Sequence, residues 1–119
     1  MEGLEHPNIK KLTLDVTNAE HIEDAVSTVV AAEGKIDILF NNAGAVCAGT
    51  FNALPLLTAH ILNADHLAGP MLDITLEQVR DTFETNTFAA LAMCRAVIPH
   101  MARRQKGLVV NVGSVMGDM

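Results

Sequence analysis

The chain has 119 residues, which is enough for one small domain or for part of a larger one. Half of the residues are hydrophobic and 18% are charged, a composition that is typical of a globular protein and excludes an intrinsically disordered chain. The formal net charge of −6 argues against nucleic acid or an anionic membrane surface as a partner, because both need a basic face.

Three further patterns restrict the class of protein. Cys47 and Cys94 do not make a disulfide framework, and the five histidines lack the spacing of metal ligands, so we expect reduced thiols and no metal site. Residues 1–5 are acidic and lack the apolar core of a signal peptide. No stretch approaches the roughly 20 apolar residues of a membrane span. Together these patterns predict a cytoplasmic protein.

The first predicted elements are a strand over residues 9–16, which ends at Asp15, and a helix over residues 19–33. Asn18 suits the helix N-cap because its side-chain oxygen can accept an unpaired amide of the first turn. Gly34 suits a left-handed C-cap.

A second strand is predicted over residues 36–40, which are almost wholly apolar. Such a run is typical of a strand that is buried on both faces of a parallel sheet. The small residues from Asn41 to Gly49 then predict a loop.

The second half of the chain predicts one long helix and one strand. Thr75 and Gln78 match the capping-box pattern, and the helix is expected to run to about Arg103, with Pro99 bending or ending it. Residues 108–112 are apolar and predict a third strand. The alternation of strands and helices predicts a doubly wound parallel α/β sheet with helices on both faces.

Residues 50–68 interrupt this order. Connections in compact α/β domains usually have about 2–6 residues, so a long irregular one is either a functional lid or a foreign insertion. Without these residues, Gly49 and Gly69 would join two stretches that read as one loop. We expect an insertion at 50–68, with an intron read in frame as the leading hypothesis and a real lid as the alternative.

The turn Asn41-Asn42-Ala43-Gly44 is the strongest functional signal. Ligands of open α/β sheets bind beyond the carboxyl ends of the strands, where this turn is predicted to lie. Ala43 and Gly44 have almost no side chain, so a ligand could approach the backbone closely. The asparagines could bridge neighbouring strands. Taken alone, the turn could also be an ordinary Asn-Gly-like turn.

Three features in this order resemble the middle of a short-chain dehydrogenase/reductase: the Asn41–Gly44 turn behind an apolar strand, Asn86 within a helix, and the run Val109–Ser114. The resemblance covers nearly the whole chain apart from residues 50–68. It implies a partial Rossmann-type NAD(P)-binding domain over residues 1–119, lacking the first βαβ unit and the C-terminal strands.

The resemblance implies NADP as the cofactor, with NAD as the alternative. Asp15 could accept a hydrogen bond from an adenine amino group, although its residue type and position fit a cap of the next helix equally well. Arg95 matches a position where basic residues meet the cofactor, although a solvated helix face explains it equally well. The implied cofactor-binding residues are Asp15, Val16, Asn42, Ala43, Gly44 and Arg95.

The implied catalytic residues are Asn86, which would hold a water in a proton relay and perturb its helix, and Ser114, which would polarise a substrate carbonyl. The alternatives are a solvated helix face for Asn86 and a turn or helix cap for Ser114. The family also uses a glycine-rich loop, a tyrosine acid and a lysine, and none of these is in place here; the chain contains no tyrosine. We therefore expect no catalysis from this chain alone.

The expected activity of the parent protein is NAD(P)H-dependent reduction of a ketone to an alcohol. Residues 69–74, 82–88 and 94–101 resemble fungal reductases of the NADPH-dependent acyl-dihydroxyacetone-phosphate reductase group, which implies a lipid precursor as substrate and association with endoplasmic reticulum or lipid droplets. The resemblance also implies homo-oligomers through helix 75–103. The alternative is a non-catalytic fragment with at most a binding role.

Overall fold

A computed structural model of the chain describes residues 6–45 and 74–113. The predicted insertion at 50–68 and Ser114 lie outside these residues. In chain order the elements are α1 (Ala19–Glu33), β1 (Ile38–Asn41), α2 (Leu76–Phe83), a π-helical turn (Glu84–Phe88), α3 (Ala89–Arg103) and β2 (Leu108–Asn111).

Helix α1 has the predicted bounds and both predicted caps. The Asn18 side chain accepts hydrogen bonds from the amides of Glu20 and His21, at 2.9 and 3.2 Å. At the other end, Gly34 adopts the left-handed conformation with φ of 75°, and its amide donates to the Val30 carbonyl. A cap of each kind satisfies backbone groups that the helix leaves unpaired.

We expect Asn18→Ala to lower the free energy of unfolding by about 1 kcal/mol, because two first-turn amides lose their acceptor. Urea unfolding followed by circular dichroism measures the change. Asn8→Ala is the matched control, since Asn8 is an exposed asparagine outside the helices. Equal stability of the two variants would contradict the capping role.

The predicted helix 75–103 is present as α2, the π-helical turn and α3. Its capping box forms as predicted: the Gln78 amide donates to Thr75 Oγ1 at 3.2 Å, and the Thr75 amide donates to Gln78 Oε1 at 2.9 Å. The helix continues through Pro99 to Arg103, so the prediction that this proline could end it is wrong. Packing of the buried residues Val97 and Met101 on either side holds the helix across it.

Residues 9–16 form no strand, contrary to the prediction. A strand exists only where a neighbour pairs with its backbone, and no strand among the described residues does so. The segment still contributes to folding, because Leu14 packs against the hydrophobic core.

The sheet has two parallel strands in the described part of the chain, with Ile38 opposite Leu108 and Asn41 opposite Asn111. In a doubly wound α/β fold, parallel strands are connected by helices. Here β1 and β2 are parallel, and the helices α2 and α3 connect them. The α/β class is therefore confirmed.

The core lies between one face of the sheet and the helices α1 and α3. Its buried side chains pack in one cluster made up of Ile22, Val26, Leu39, Val97 and Met101. The other face of β1 carries Ile38 and Phe40, which are 59% and 63% exposed. The prediction that this strand is buried on both faces is therefore wrong for the described residues, whose long helices both pack on the side of Leu39.

Arg104 links the end of α3 to the segment just before β1 through hydrogen bonds. Its guanidinium donates to Asp37 Oδ1 at 2.9 Å and to the Ile36 carbonyl at 2.7 Å. Lys35 pairs with the other carboxylate oxygen of Asp37 at 2.9 Å. The hydrogen bonds from Lys35 and Arg104 hold the pKa of the Asp37 carboxyl below its ordinary value of 3.8.

A lowered pKa in the folded chain means that Asp37 stabilises the fold above pH 4 and that this contribution is lost as the pH falls through the folded-state pKa. We expect Asp37→Asn to make the acid-side loss of stability less steep, as measured by urea unfolding between pH 2.5 and 6. Asp24→Asn, at an exposed carboxylate on α1, is the control. Identical pH profiles for wild type and Asp37→Asn would contradict this role.

Candidate functional site

The polar side chains of the candidate site lie where β1 and β2 end. Asn41 and Asn111 are the last residues of the two strands and are opposite each other in the register. Asn41 Nδ2 donates to Asn111 Oδ1 at 2.8 Å and lies 3.5 Å from the Sγ of Cys94. The expectation that an asparagine of this turn bridges two strands is therefore confirmed for Asn41.

The sequence pattern does not indicate that Asn111 and Cys94 are neighbours of Asn41. The signal for Asn111 was present, because an asparagine ends each of two apolar runs that are predicted strands. No pattern pointed to Cys94, whose position depends on how α3 crosses the sheet.

Asn86 links the loop after β1 to the long helix through hydrogen bonds. Its Oδ1 accepts a hydrogen bond from the Ala45 amide and its Nδ2 donates to the Ala45 carbonyl, both at 2.7 Å. Gly44 lies close by: a Cβ on it would be 3.5 Å from Asn86 Oδ1, an ordinary contact distance. Both hydrogen-bonding groups of the asparagine side chain therefore bind backbone, although the residue is exposed.

The helix is perturbed at this point, as the resemblance implied. The π-helical turn Glu84–Phe88 is centred on Asn86 and separates α2 from α3. Such turns widen a helix by one residue and often occur at functional sites. Here the turn accompanies the contact between Asn86 and the loop.

A small cleft of about 100 Å³ brings three of the predicted cofactor-binding residues together: Val16, Asn42 and Ala43. Phe40 and Thr85 also line it. The side chain of Asn42 makes no hydrogen bond to any residue of the segments 6–45 and 74–113. Its amide is therefore available to a ligand.

Asp15 sits between Leu14 and Val16, which line the cleft, but is not itself a lining residue. It is exposed, and its Oδ1 accepts hydrogen bonds from the amide and the hydroxyl of Thr17, at 2.9 and 2.7 Å. These bonds lower the pKa of the Asp15 carboxyl, so it is ionised at neutral pH. Asn18 rather than Asp15 caps α1, so the alternative that Asp15 caps the helix is wrong.

Arg95 is not brought to this cleft. It is exposed on α3 and lines a separate groove of about 550 Å³ between α1 and α3, together with Phe88 and Leu91. The structure thus assembles Val16, Asn42, Ala43, Gly44 and Asn86 at one end of the sheet, with Asp15 beside them.

Two other kinds of site are absent from the described residues. No group of three or more histidine, cysteine or acidic side chains in residues 6–45 and 74–113 is placed to hold a metal ion. Over the same residues, no helix is both long enough and apolar enough to cross a membrane.

We expect Asn86→Ala to release the loop after β1, because Ala45 loses both of its side-chain partners. Hydrogen exchange at the Ala45 amide should quicken by about fivefold, which corresponds to the roughly 1 kcal/mol of a typical hydrogen bond. Thr82→Ala is the control: its hydroxyl bonds only the Gln78 carbonyl within α2. An unchanged exchange rate at the Ala45 amide in Asn86→Ala would show that the two hydrogen bonds from Asn86 do not hold the loop.

The parallel sheet, its helical crossover and the polar groups at the carboxyl ends of its strands define a Rossmann-type α/β protein. The family model described as short chain dehydrogenase matches residues 2–119. The chain therefore belongs to the short-chain dehydrogenase/reductase family.

Individual relatives agree with this assignment. A 3-ketodihydrosphingosine reductase of Bacteroides thetaiotaomicron is 32% identical over 93% of this chain and 34% of its own length. A 3-oxoacyl-(acyl-carrier-protein) reductase of Vibrio cholerae is 32% identical over 94% of this chain and 38% of its own length. A crystal structure of a short-chain dehydrogenase from Streptomyces avermitilis superposes with a TM-score of 0.65 at 31% identity, over 91% of this chain and 32% of that one. The chain spans about a third of the length of the relatives it matches.

Proposed function

We propose that this chain forms the nucleotide-facing part of an NADP(H)-dependent reductase that converts a ketone to an alcohol, with NAD as the alternative cofactor. The observation that carries the proposal is the tethered loop at the end of β1, where Asn86 holds Ala45 by two hydrogen bonds. This places Asn42, Ala43 and Gly44 beyond the carboxyl end of a parallel strand, where open α/β sheets bind ligands.

The residues present fit the chemistry of a nucleotide, and the cleft has room for one part of it. Asn42 offers an amide that no described residue engages, and Ala43 and Gly44 leave the backbone open to close approach. The ionised Asp15 carboxylate keeps one oxygen, Oδ2, outside its bonds to Thr17 and could accept from an adenine amino group. The cleft of about 100 Å³ is smaller than the roughly 300 Å³ of the smallest typical ligand sites, so these residues would hold one part of a dinucleotide.

Bound NADPH would supply the hydride that reduces the ketone carbon. Ser114 would hydrogen-bond the carbonyl oxygen and orient it, and a separate acid would have to deliver the proton. Asn86 would serve the proton relay by holding a water, and its two hydrogen bonds to Ala45 also position the loop beside the cofactor. Arg95 lines a separate groove, so its proposed contact would be with another part of the cofactor than the part held in the cleft.

We propose a ketone on a long acyl chain as the substrate class, with acyl-dihydroxyacetone phosphate as the specific candidate. The support is the likeness of residues 69–74, 82–88 and 94–101 to fungal reductases of that group. The two relatives above are named for keto groups on sphingoid and acyl chains, which agrees with this class. Association with endoplasmic reticulum or lipid droplets and self-association through helix 75–103 complete the proposal.

A binding measurement tests whether the cleft holds the nucleotide. We expect NADPH to shift the backbone amide resonances of residues 15–16 and 42–45 of the 119-residue chain, and Asn42→Ala to weaken its binding about tenfold, as for the loss of one hydrogen bond. Asn8→Ala, at an exposed asparagine away from the cleft, should bind like wild type. Shifts confined to other residues would reject this site.

The proposed reduction of a ketone is tested on the product of the full-length transcript. Sequencing that transcript shows whether splicing removes residues 50–68 and which residues the complete protein contains. The product of the transcript should oxidise NADPH in the presence of a long-chain ketone. Nucleotide binding without reduction by the complete product would favour the alternative, a non-catalytic binding protein. Absence of both would reject the proposed function.

A further inference from the structure

The positive charges of the chain are concentrated at one end of the molecule. Because β1 and β2 are parallel and begin opposite each other, the loops that precede them lie side by side. The ion pair of Arg104 with Asp37 joins these two loops, and the ion pair of Lys10 with Glu33 places the segment before α1 beside them. Six of the eight lysines and arginines lie in these loops, at the end of α3 or beside the end of α1, and together they form the basic end: Lys10, Lys11, Lys35, Arg103, Arg104 and Lys106.

The negative charges of the described residues lie mainly at the opposite end. Only Glu33 and Asp37 are at the basic end, so its six cations leave a local excess of four positive charges. The other seven acidic residues precede α1 or lie in the N-terminal halves of α1 and of the long helix: Asp15, Glu20, Glu23, Asp24, Glu77, Asp81 and Glu84. The net charge of −6 therefore conceals a positive end, and does not by itself exclude an anionic surface as a partner.

Helix dipoles account for only part of this excess. The C-terminal ends of α1 and α3 both point to the basic end, and each carries about half a negative charge. Together they balance roughly one of the four excess positive charges. Compensation of helix dipoles is therefore not a sufficient explanation of the basic end.

Half of these cations have no partner within the described part of the chain. The side chains of Lys11, Arg103 and Lys106 are exposed and form no ion pair or hydrogen bond with any residue of the segments 6–45 and 74–113. They come from two distant parts of the sequence, so their charges are spread over an end of the molecule rather than along one helix face. Exposed apolar side chains stand beside them: Ile9 is 47% exposed and Leu108 is 54% exposed. A broad cationic end with apolar side chains among the charges suits the headgroup layer of an anionic membrane.

We infer that the basic end is a docking surface for an anionic membrane, whose lipid phosphates and carboxylates its free cations bind. The inference rests on the proposed association with endoplasmic reticulum or lipid droplets and assigns the surface that makes the contact. No helix of the described residues could cross a membrane, so attachment through these residues is peripheral. The chain has no tryptophan or tyrosine, and no phenylalanine lies in the segments of the basic end. This favours a lipid surface over single-stranded nucleic acid, whose sites combine cations with aromatic stacking.

The acidic end does not prevent this contact, because salt screens its charges. Helix α1 runs from the acidic end to the basic end, and its 15 residues make it about 22 Å long. The Debye length at physiological ionic strength is about 8 Å, so a surface that touches the basic end is screened from the opposite end. The cleft with Asn42 and Ala43 lies at the carboxyl ends of the strands, so docking leaves it facing water. NADPH and a membrane should therefore bind independently of each other.

Binding to lipid vesicles tests the docking surface. We expect the 119-residue chain to sediment at low salt with vesicles of equal parts phosphatidylserine and phosphatidylcholine, and not with vesicles of phosphatidylcholine alone. The double variant R103Q/K106Q should bind the anionic vesicles about 25-fold more weakly, because each cation near such a surface contributes about fivefold. The matched control R80Q/R95Q removes the same charge outside the basic end, so it should bind within about twofold of wild type. Circular dichroism checks that both variants fold.

The outcomes separate this inference from the proposed function. Vesicle binding that R103Q/K106Q leaves unchanged, or that R80Q/R95Q weakens equally, rejects the basic end as the docking surface. Binding of inorganic polyphosphate without binding of anionic vesicles assigns the basic end to a soluble polyanion and overturns the inference. Absence of vesicle binding by the wild-type chain rejects the inference and leaves ketone reduction by the complete protein untouched. Asn42→Ala should bind vesicles like wild type, so failure of the nucleotide cleft and failure of docking are measured independently.

Discussion

Ile22→Ala should lower the free energy of unfolding by about 2–5 kcal/mol, the largest loss that we expect from one substitution in the described residues. Ile22 is 3% exposed and lies in the cluster that joins α1 to α3 and the sheet. Removing its side chain beyond Cβ loses the transfer free energy of those atoms and leaves a cavity between the two helices. Neighbours on rigid helices refill such a cavity only in part.

Urea unfolding followed by circular dichroism measures this loss. The described core has only five clustered buried side chains, so the change approaches the whole stability expected of a small domain. We therefore expect the variant to be largely unfolded without urea. Ile9→Ala is the matched control: Ile9 is 47% exposed and its truncation should cost less than 1 kcal/mol. Similar losses in both variants would show that α1 does not pack through Ile22.

Features that depend on nearby residues could be predicted from the sequence. The bounds and caps of α1 follow from Asn18, Gly34 and the apolar spacing between them, all within a few turns of one another. The capping box at Thr75 is likewise a contact between residues three apart. Local hydrogen bonds and helical periodicity leave little freedom in these segments, so pattern and structure agree.

Features that depend on distant residues could not be predicted in the same way. Residues 9–16 have the composition of a strand, but a strand also needs a neighbour, and sequence pattern does not supply one. The apolar run of β1 correctly predicts a strand, but not that Ile38 and Phe40 face outward in the described part of the chain.

The candidate site likewise combines features that nearby residues determine with features that distant residues determine. The turn at Asn41–Gly44 and the odd polar residue Asn86 stand out in the sequence, and both belong to the site. The partner of Asn86 does not stand out: Ala45 is 41 residues away, and its backbone rather than its side chain makes the contact. Position along a helix alone could not separate Arg95 from the cleft, because that depends on which face of α3 meets β1.

The second large effect is expected at Gly107, just before β2. A Cβ atom added there would lie 2.5 Å from Cγ and Sδ of Met101 and 2.6 Å from its Cβ, well inside van der Waals contact. Met101 is 5% exposed and belongs to the core, so its Cβ cannot move without shifting α3. We expect Gly107→Ala to cost about 1–3 kcal/mol of unfolding free energy, the usual cost of an overpacked core.

Two other glycines separate steric overlap from backbone strain. Gly113→Ala should be nearly neutral, because a Cβ there meets nothing within 4 Å. Gly34→Ala meets no atom within 4 Å either, but its φ of 75° costs a residue with a Cβ about 1 kcal/mol. Urea unfolding should therefore rank the losses Gly107, Gly34, Gly113. In a double-mutant cycle, Met101→Ala removes the overlapping Cγ and Sδ, so Gly107→Ala should cost less in that background. An equal cost in both backgrounds would show that Met101 is not what excludes a side chain at position 107.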